Sequence, residues 1–147
     1  MTQDIDFSRL VADAADAIMI CDAQGAIRYW NAASERIFGF SASDAMGRSL
    51  DMIIPERQRG RHWQGYHQTM ASGITKYGAD LLRVPALHKD GRTLSIAFTV
   101  SLLKWPDGSV QGIAAIVRDE TARFAEDRKL RARLVELEQR LAGASHP

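Results

Sequence analysis

Hydrophobic positions change period several times along this chain, and the changes divide it into elements. Phe7, Leu10, Val11 and Ala14 recur at helical spacing behind Asp6 and Ser8, either of which can cap a helix start, so residues 7–15 read as a short amphipathic helix. The apolar run 17–21, the Asp22-Ala-Gln-Gly25 turn and the segment 26–30 predict a β-hairpin. Asn31 opens a helix whose Ala32, Ile37 and Phe38 face inward. Gly39 and the Ser41/Ser43 pair interrupt it, and a second short helix is expected at 43–45, before Gly47. Pro55 suits the first turn of a longer helix, placed at 55–72 and stopped by Gly73.

From there the period falls to two, over residues 80–84, 92–104 and 110–118. Leu94, Ile96, Phe98, Val100 and Leu102 fall on one face, with Ser95, Ala97, Thr99 and Ser101 on the other. Pro106-Asp-Gly108 is a turn that folds the last two strands into an antiparallel hairpin. After Asp119 charged residues and alanine take over, with Leu130, Leu134, Leu137 and Leu141 spaced as a heptad seam of two repeats. Charged flanks such as Arg131, Arg133, Glu136 and Glu138 fit a two-stranded coiled coil; the competing reading is a helix folded back on its own domain.

With 147 residues and 46% hydrophobic composition, the chain holds one domain with a real core plus an appendage. A net charge of +1 from mixed signs creates no global field to draw in nucleic acid or an anionic membrane. One cysteine, Cys21, cannot form an internal disulfide, and its expected role is that of a small buried hydrophobe. The opening residues lack the form of a secretion signal and no apolar stretch is long enough to span a bilayer, so a cytoplasmic location is expected. The sequence contains no phosphate-cradling Gly-rich loop with its lysine, no His-Glu-x-x-His, no Gly-x-Ser-x-Gly and no Cys/His cluster, so an enzyme is not expected.

Three phrases in order, Cys21-Asp-Ala-Gln-Gly-Ala-Ile-Arg-Tyr-Trp-Asn31, His88-Lys-Asp-Gly91 before an alternating strand, and Gly112-Ile-Ala-Ala-Ile-Val-Arg-Asp-Glu-Thr121, make residues 7–121 resemble a PAS domain. The resemblance implies an α+β fold: a five-stranded antiparallel sheet with short helices on one face, flanked by an N-terminal amphipathic helix (1–16) and a C-terminal coiled-coil helix (120–142). The PAS body is placed at 17–119 and a disordered tail at 143–147. The light-sensing branch with a flavin-adduct cysteine is not matched, because Cys21 lies in the first strand and not in the helical middle. Asn31 matches the asparagine that PAS domains place after the second strand, where it caps a helix and ties down the neighbouring loop.

Within Pro55-Glu-Arg-Gln-Arg-Gly-Arg-His-Trp-Gln-Gly-Tyr66 the chain resembles the heme-PAS oxygen-sensor kinases of the FixL type. That resemblance implies heme b with His62 as the iron ligand, since a neutral imidazole nitrogen binds iron while the other can be oriented by a hydrogen bond. Pro55, Arg59, Tyr66 and Met70 share a helix face with His62, whereas His67 lies roughly 140° round and is expected in solvent. His88, in its turn, and His146, in the tail, are expected to be exposed. The arginine with which FixL-type sensors hold oxygen falls at Leu82, with Arg83 beside it on the opposite face, which implies an apolar distal site. Ile96, Phe98, Val100 and Ile113 complete that wall. Arg57, Arg59 and Arg61 can face heme propionates or phosphates, but a solvated helix face is the default for at least two of them.

The expectation is therefore a sensory domain, homodimeric through its terminal helices, that passes a ligand-driven shift through Asp119-Glu-Thr121 to a downstream kinase or regulator, with neither nucleic acid nor membrane as partner. Two alternatives stay open: a dimerisation or adaptor module whose interior is filled by its own side chains, and a sensor of a lipid or metabolite.

Overall fold

The computed structural model of the protein describes residues 4–75 and 78–144. Its centre is an antiparallel sheet of β1 (Ala17–Asp22), β2 (Ile27–Trp30), β3 (Leu82–Leu87), β4 (Thr93–Lys104) and β5 (Val110–Asp119), in the order β2-β1-β5-β4-β3. The first strand pairs with the last, so the segment between the two hairpins must cross one face of the sheet. That segment carries α2 (Ala32–Phe38), α3 (Ala42–Ala45), a 3-10 turn (Leu50–Ile53) and α4 (Glu56–Ser72), while α1 (Phe7–Asp13) and α5 (Thr121–Ala144) flank the body.

Residues directly opposite in paired strands share a face. One row of that face holds Leu82, Phe98, Val117 and Ala17; the next holds Val100, Ala115, Met19 and Trp30; a third holds Leu102, Ile113, Cys21 and Ile27. Phe38, Ala33, Ala45, Ile53 and Tyr66 close over it from the helical side. The alternation seen in residues 94–102 is thus the alternation between this covered face and an outer one.

Several expectations are corrected by the caps. The Asn31 side chain accepts the Ser34 backbone N–H at 3.0 Å and sets the phase of α2, so Ala33, Ser34 and Phe38 turn inward and Ala32 is exposed. Burial of Ser34 is tolerated because its hydroxyl bonds Asn31 and the Ile18 carbonyl. Ser41 caps the next helix, its hydroxyl accepting the Asp44 N–H, so α3 starts at Ala42 and not at residue 43. The third strand is Leu82–Leu87 and not residues 80–84, because its pairing with β4 runs to Leu87↔Thr93 beside the His88–Gly91 turn. The 3-10 turn was not anticipated, and α1 stops at Asp13. Gly143 and Ala144, expected in the tail, belong to α5; residues 145–147, with His146, lie outside the described residues.

Both terminal helices leave from one end of the sheet, where Arg118 makes two bonds to Asp16, at 3.0 and 3.1 Å. α5 buries none of its residues, so it does not fold back over the domain. Among the described residues no helix is long and apolar enough to cross a membrane.

Candidate functional site

α4 begins behind Pro55, whose missing N–H is no loss at a helix start, and ends at Gly73 in the left-handed region that glycine adopts without strain. It carries the site because two of its aromatic residues bolt it to other elements. The Tyr66 hydroxyl donates to the Asp22 carbonyl, and the Trp63 indole N–H donates to the Asp51 carboxylate at 2.6 Å. Trp63 also lies over Gly25, in the β1–β2 turn. A Cβ there would run into its ring, and the positive φ of 83° independently favours glycine.

His62 is half-buried between these two anchors, with its ring centroid 4.6 Å from Trp63 and 5.7 Å from Tyr66. Its Nδ1 is buried and has no hydrogen-bond partner. Burial holds the imidazole below its ordinary pKa, and the charge of Asp51 opposes this only in part. The ring is therefore neutral near pH 7, the form that binds a metal. Among the described residues no three His, Cys, Asp or Glu side chains converge, so a metal here must bring most of its ligands with it. A heme iron would do so, and from the protein it would need one neutral imidazole, which His62 offers on a helix fixed at both flanking aromatics.

Of the other expected site residues, Tyr66 is buried, with burial and then Cys21 and Asp22 raising its pKa. Leu82, Phe98, Val100 and Ile113 stand on the helix-covered face and are only partly buried, so they form an apolar wall that the helices do not fully cover. Ile96 differs: at 6% exposure it is core. The ring contacts of His62 are with its own helix. Two shallow concavities lie elsewhere, lined chiefly by outer-face residues such as Ile116 and Arg118 or Ile20 and Tyr29; neither lies between α4 and the sheet.

Burial pushes the Cys21 thiol up to about 12, with Asp22 adding to it, which leaves it unreactive. Arg83 points to the outer face, where it pairs with Glu120 at 3.3 Å. Arg57 and Arg61 are exposed, while Arg59 turns back to the Ile54 carbonyl at 3.0 Å. His67 is exposed, as expected. His88 is not, contrary to expectation: its side chain is 15% exposed and lies over Gly39, because the Lys89 N–H bonds the Phe38 carbonyl and draws the turn onto α2. Asp51, Trp63 and Gly25 escaped the sequence reading as a unit. The one local signal was Ser49 two residues before Asp51, whose hydroxyl accepts the Asp51 N–H.

The exit from the sheet is equally tied. The Ser95 N–H donates to the Thr121 hydroxyl oxygen, that hydroxyl donates to Asp119, and the Glu120 N–H donates to the Ser95 carbonyl at 2.8 Å. With Arg83 and Arg123 both on Glu120, the start of α5 is joined to β3 and β4.

The family model described as PAS fold matches residues 5–119. The chain belongs to the PAS family. It is 34% identical over 116 residues to an uncharacterised protein of Azorhizobium caulinodans, covering 78% of this chain and 16% of that one. It is 29% identical over 133 residues to the sensor protein FixL of Bradyrhizobium diazoefficiens, covering 88% of this chain and 25% of that protein. The chain thus spans a quarter or less of these relatives. A crystal structure of the PAS domain of a protein from Colwellia psychrerythraea superposes with a TM-score of 0.69 at 25% identity, covering 79% of this chain and 95% of that one. One of these PAS relatives is a sensor protein.

Proposed function

We propose that this PAS domain is a cytoplasmic, non-catalytic gas sensor that holds heme b at His62 and signals through α5 to a kinase or regulator. The observation that carries the reading is the neutral, half-buried His62 ring with an unclaimed, buried Nδ1, supported by the similarity to FixL. Heme would supply a gas-binding iron. Tyr66 and Trp63 fix the helix that presents His62, and Leu82, Phe98, Val100 and Ile113 offer an apolar wall without a hydrogen-bond donor. A displacement of β3 or β4 would reach α5 through Arg83–Glu120 and Ser95–Thr121. Dimerisation through the terminal helices is supported by Ile5, Phe7 and Leu10 at one end and the leucine seam at the other, all left exposed. The limits proposed with this reading are an N-terminal segment 1–16 that carries α1, a PAS body 17–119 and a signalling helix from 120.

The test is an absorption spectrum of purified protein with and without hemin, beside His62→Ala. A sharp Soret band that shifts on reduction and CO addition, and that the substitution abolishes, is expected. A spectrum no different from that of a non-binding control overturns it. The second reading, a module filled by its own side chains, is favoured by the close seating of Trp63 on Gly25. It predicts that hemin changes nothing and that mass spectrometry of denatured protein finds no ligand; an extracted lipid or metabolite would indicate a colourless sensor.

A further inference from the structure

The open surface of α5 carries enough pattern to say how it is covered. Leu130, Leu134, Leu137 and Leu141 are 41–74% exposed, and no other element among the described residues buries them. Assigning Leu134 and Leu141 to heptad position a puts Leu130, Leu137 and Ala144 at d, Glu126 and Arg133 at g, and Arg131 and Glu138 at e. In a parallel pair of helices each g residue faces the e residue five positions on in the other helix. Glu126 then meets Arg131 and Arg133 meets Glu138, giving four favourable pairs by symmetry and no like-charge pair. A slip of one heptad opposes Glu126 to Glu138 and Arg133 to Arg131, and keeps one favourable pair, Arg140 with Glu138, so the charges select the register. The previous a and d positions are Asp127 and Arg123, and Arg123 is engaged by Glu120 at 3.6 Å, so the apolar seam starts only at Leu130.

We infer that α5 pairs with α5 of a second copy as a parallel, in-register coil that begins at Leu130, with its orientation and register set by Glu126, Arg131, Arg133 and Glu138. The inference rests on the dimeric reading above and adds direction, register and the residues that determine them. The helix turns between Glu120 and Leu130 lie outside the seam, which leaves the two domain exits free to shift relative to each other while the distal helices stay joined.

The test uses the full chain with Ala144→Cys, a d position near the helix end. Cys21 is buried and does not compete. In-register parallel helices place the two introduced sulfurs in bonding range, whereas antiparallel ones paired over the same seam separate them by about 25 Å. Rapid symmetric crosslinking under mild oxidation is expected. Adding Glu126→Lys with Glu138→Lys, or instead Arg131→Glu with Arg133→Glu, should slow crosslinking roughly tenfold, and mixing the two charge variants should restore it as a heterodimer. A dimer by light scattering that does not crosslink at position 144, or charge variants that crosslink as fast alone as mixed, overturns the inference and leaves dimerisation standing. A monomer at high concentration removes the dimeric reading itself.

Discussion

The two long helices of this protein meet opposite fates. α4, with 17 residues, buries Tyr66, seats Trp63 on Gly25 and ends both bonds on other elements. α5, with 24 residues, buries nothing and is braced by pairs within itself, such as Arg140–Glu136 at 2.8 Å and Arg133–Glu136 at 3.3 Å. Exposed pairs of this kind contribute only a few tenths of a kcal/mol each, so α5 as an isolated helix is weakly held, whereas α4 shares the stability of the core. A helix whose apolar residues are satisfied at home can position a site. One whose seam is left open has to be completed from outside, and that makes it suited to carry a signal away.

The comparison breaks most severely at Gly25. Gly25→Ala forces a Cβ into the Trp63 ring at a φ that alanine resists, and a loss of about 2–4 kcal/mol is expected in urea unfolding. Adding Trp63→Ala should not compound the loss additively, since the clash goes with the ring. Tyr66→Phe is next: it removes one of the two hydrogen bonds that the Asp22 carbonyl accepts, leaving that of the Gly25 N–H, while keeping the ring packed, and should lower stability by about 1 kcal/mol. Neither change should alter pairing of α5.

Leu134→Ser sharpens the contrast from the other side. It should change urea unfolding of the monomer at low concentration by no more than about 0.5 kcal/mol, because the residue is 57% exposed, while weakening dimerisation measured by analytical ultracentrifugation. A loss of monomer stability as large as that at Tyr66 would mean that α5 packs on the body after all.

The smallest expected effect is a pH dependence at His62. Its folded pKa lies below the ordinary value of 6.5, so in the window just under 6.5 the unfolded chain binds more protons than the folded one. Stability contributed by the neutral ring is therefore present above pH 6.5, declines as the pH falls below it, and stops declining once the folded ring is also protonated. His62→Gln should flatten that part of the stability profile, read by thermal melts between about pH 7.5 and 5. A profile unchanged by the substitution would show that the ring is not desolvated.

The sequence alone determined the order of the elements, the inner face of β4 from Leu94 to Leu102, the Asn31 cap, the stop at Gly73 and the leucine seam. Each of these follows from local geometry: a period of two or near 3.6, a cap beside a helix start, a glycine where φ turns positive. Charge and heptad position also stated how the seam could pair, without reference to the rest of the fold. Only the tertiary structure decided that Trp63 rests on Gly25 and bonds Asp51, that Tyr66 reaches the Asp22 carbonyl, that His88 is drawn over Gly39, and that Ile96 is core while Phe98 beside it is partly open. Those contacts join residues far apart along the chain, and no period in the sequence records where the path of α4 crosses the first turn. The environment of His62 belongs to the same class. Its chemistry depends on burial and on a missing partner, and both are properties of what surrounds a residue in space.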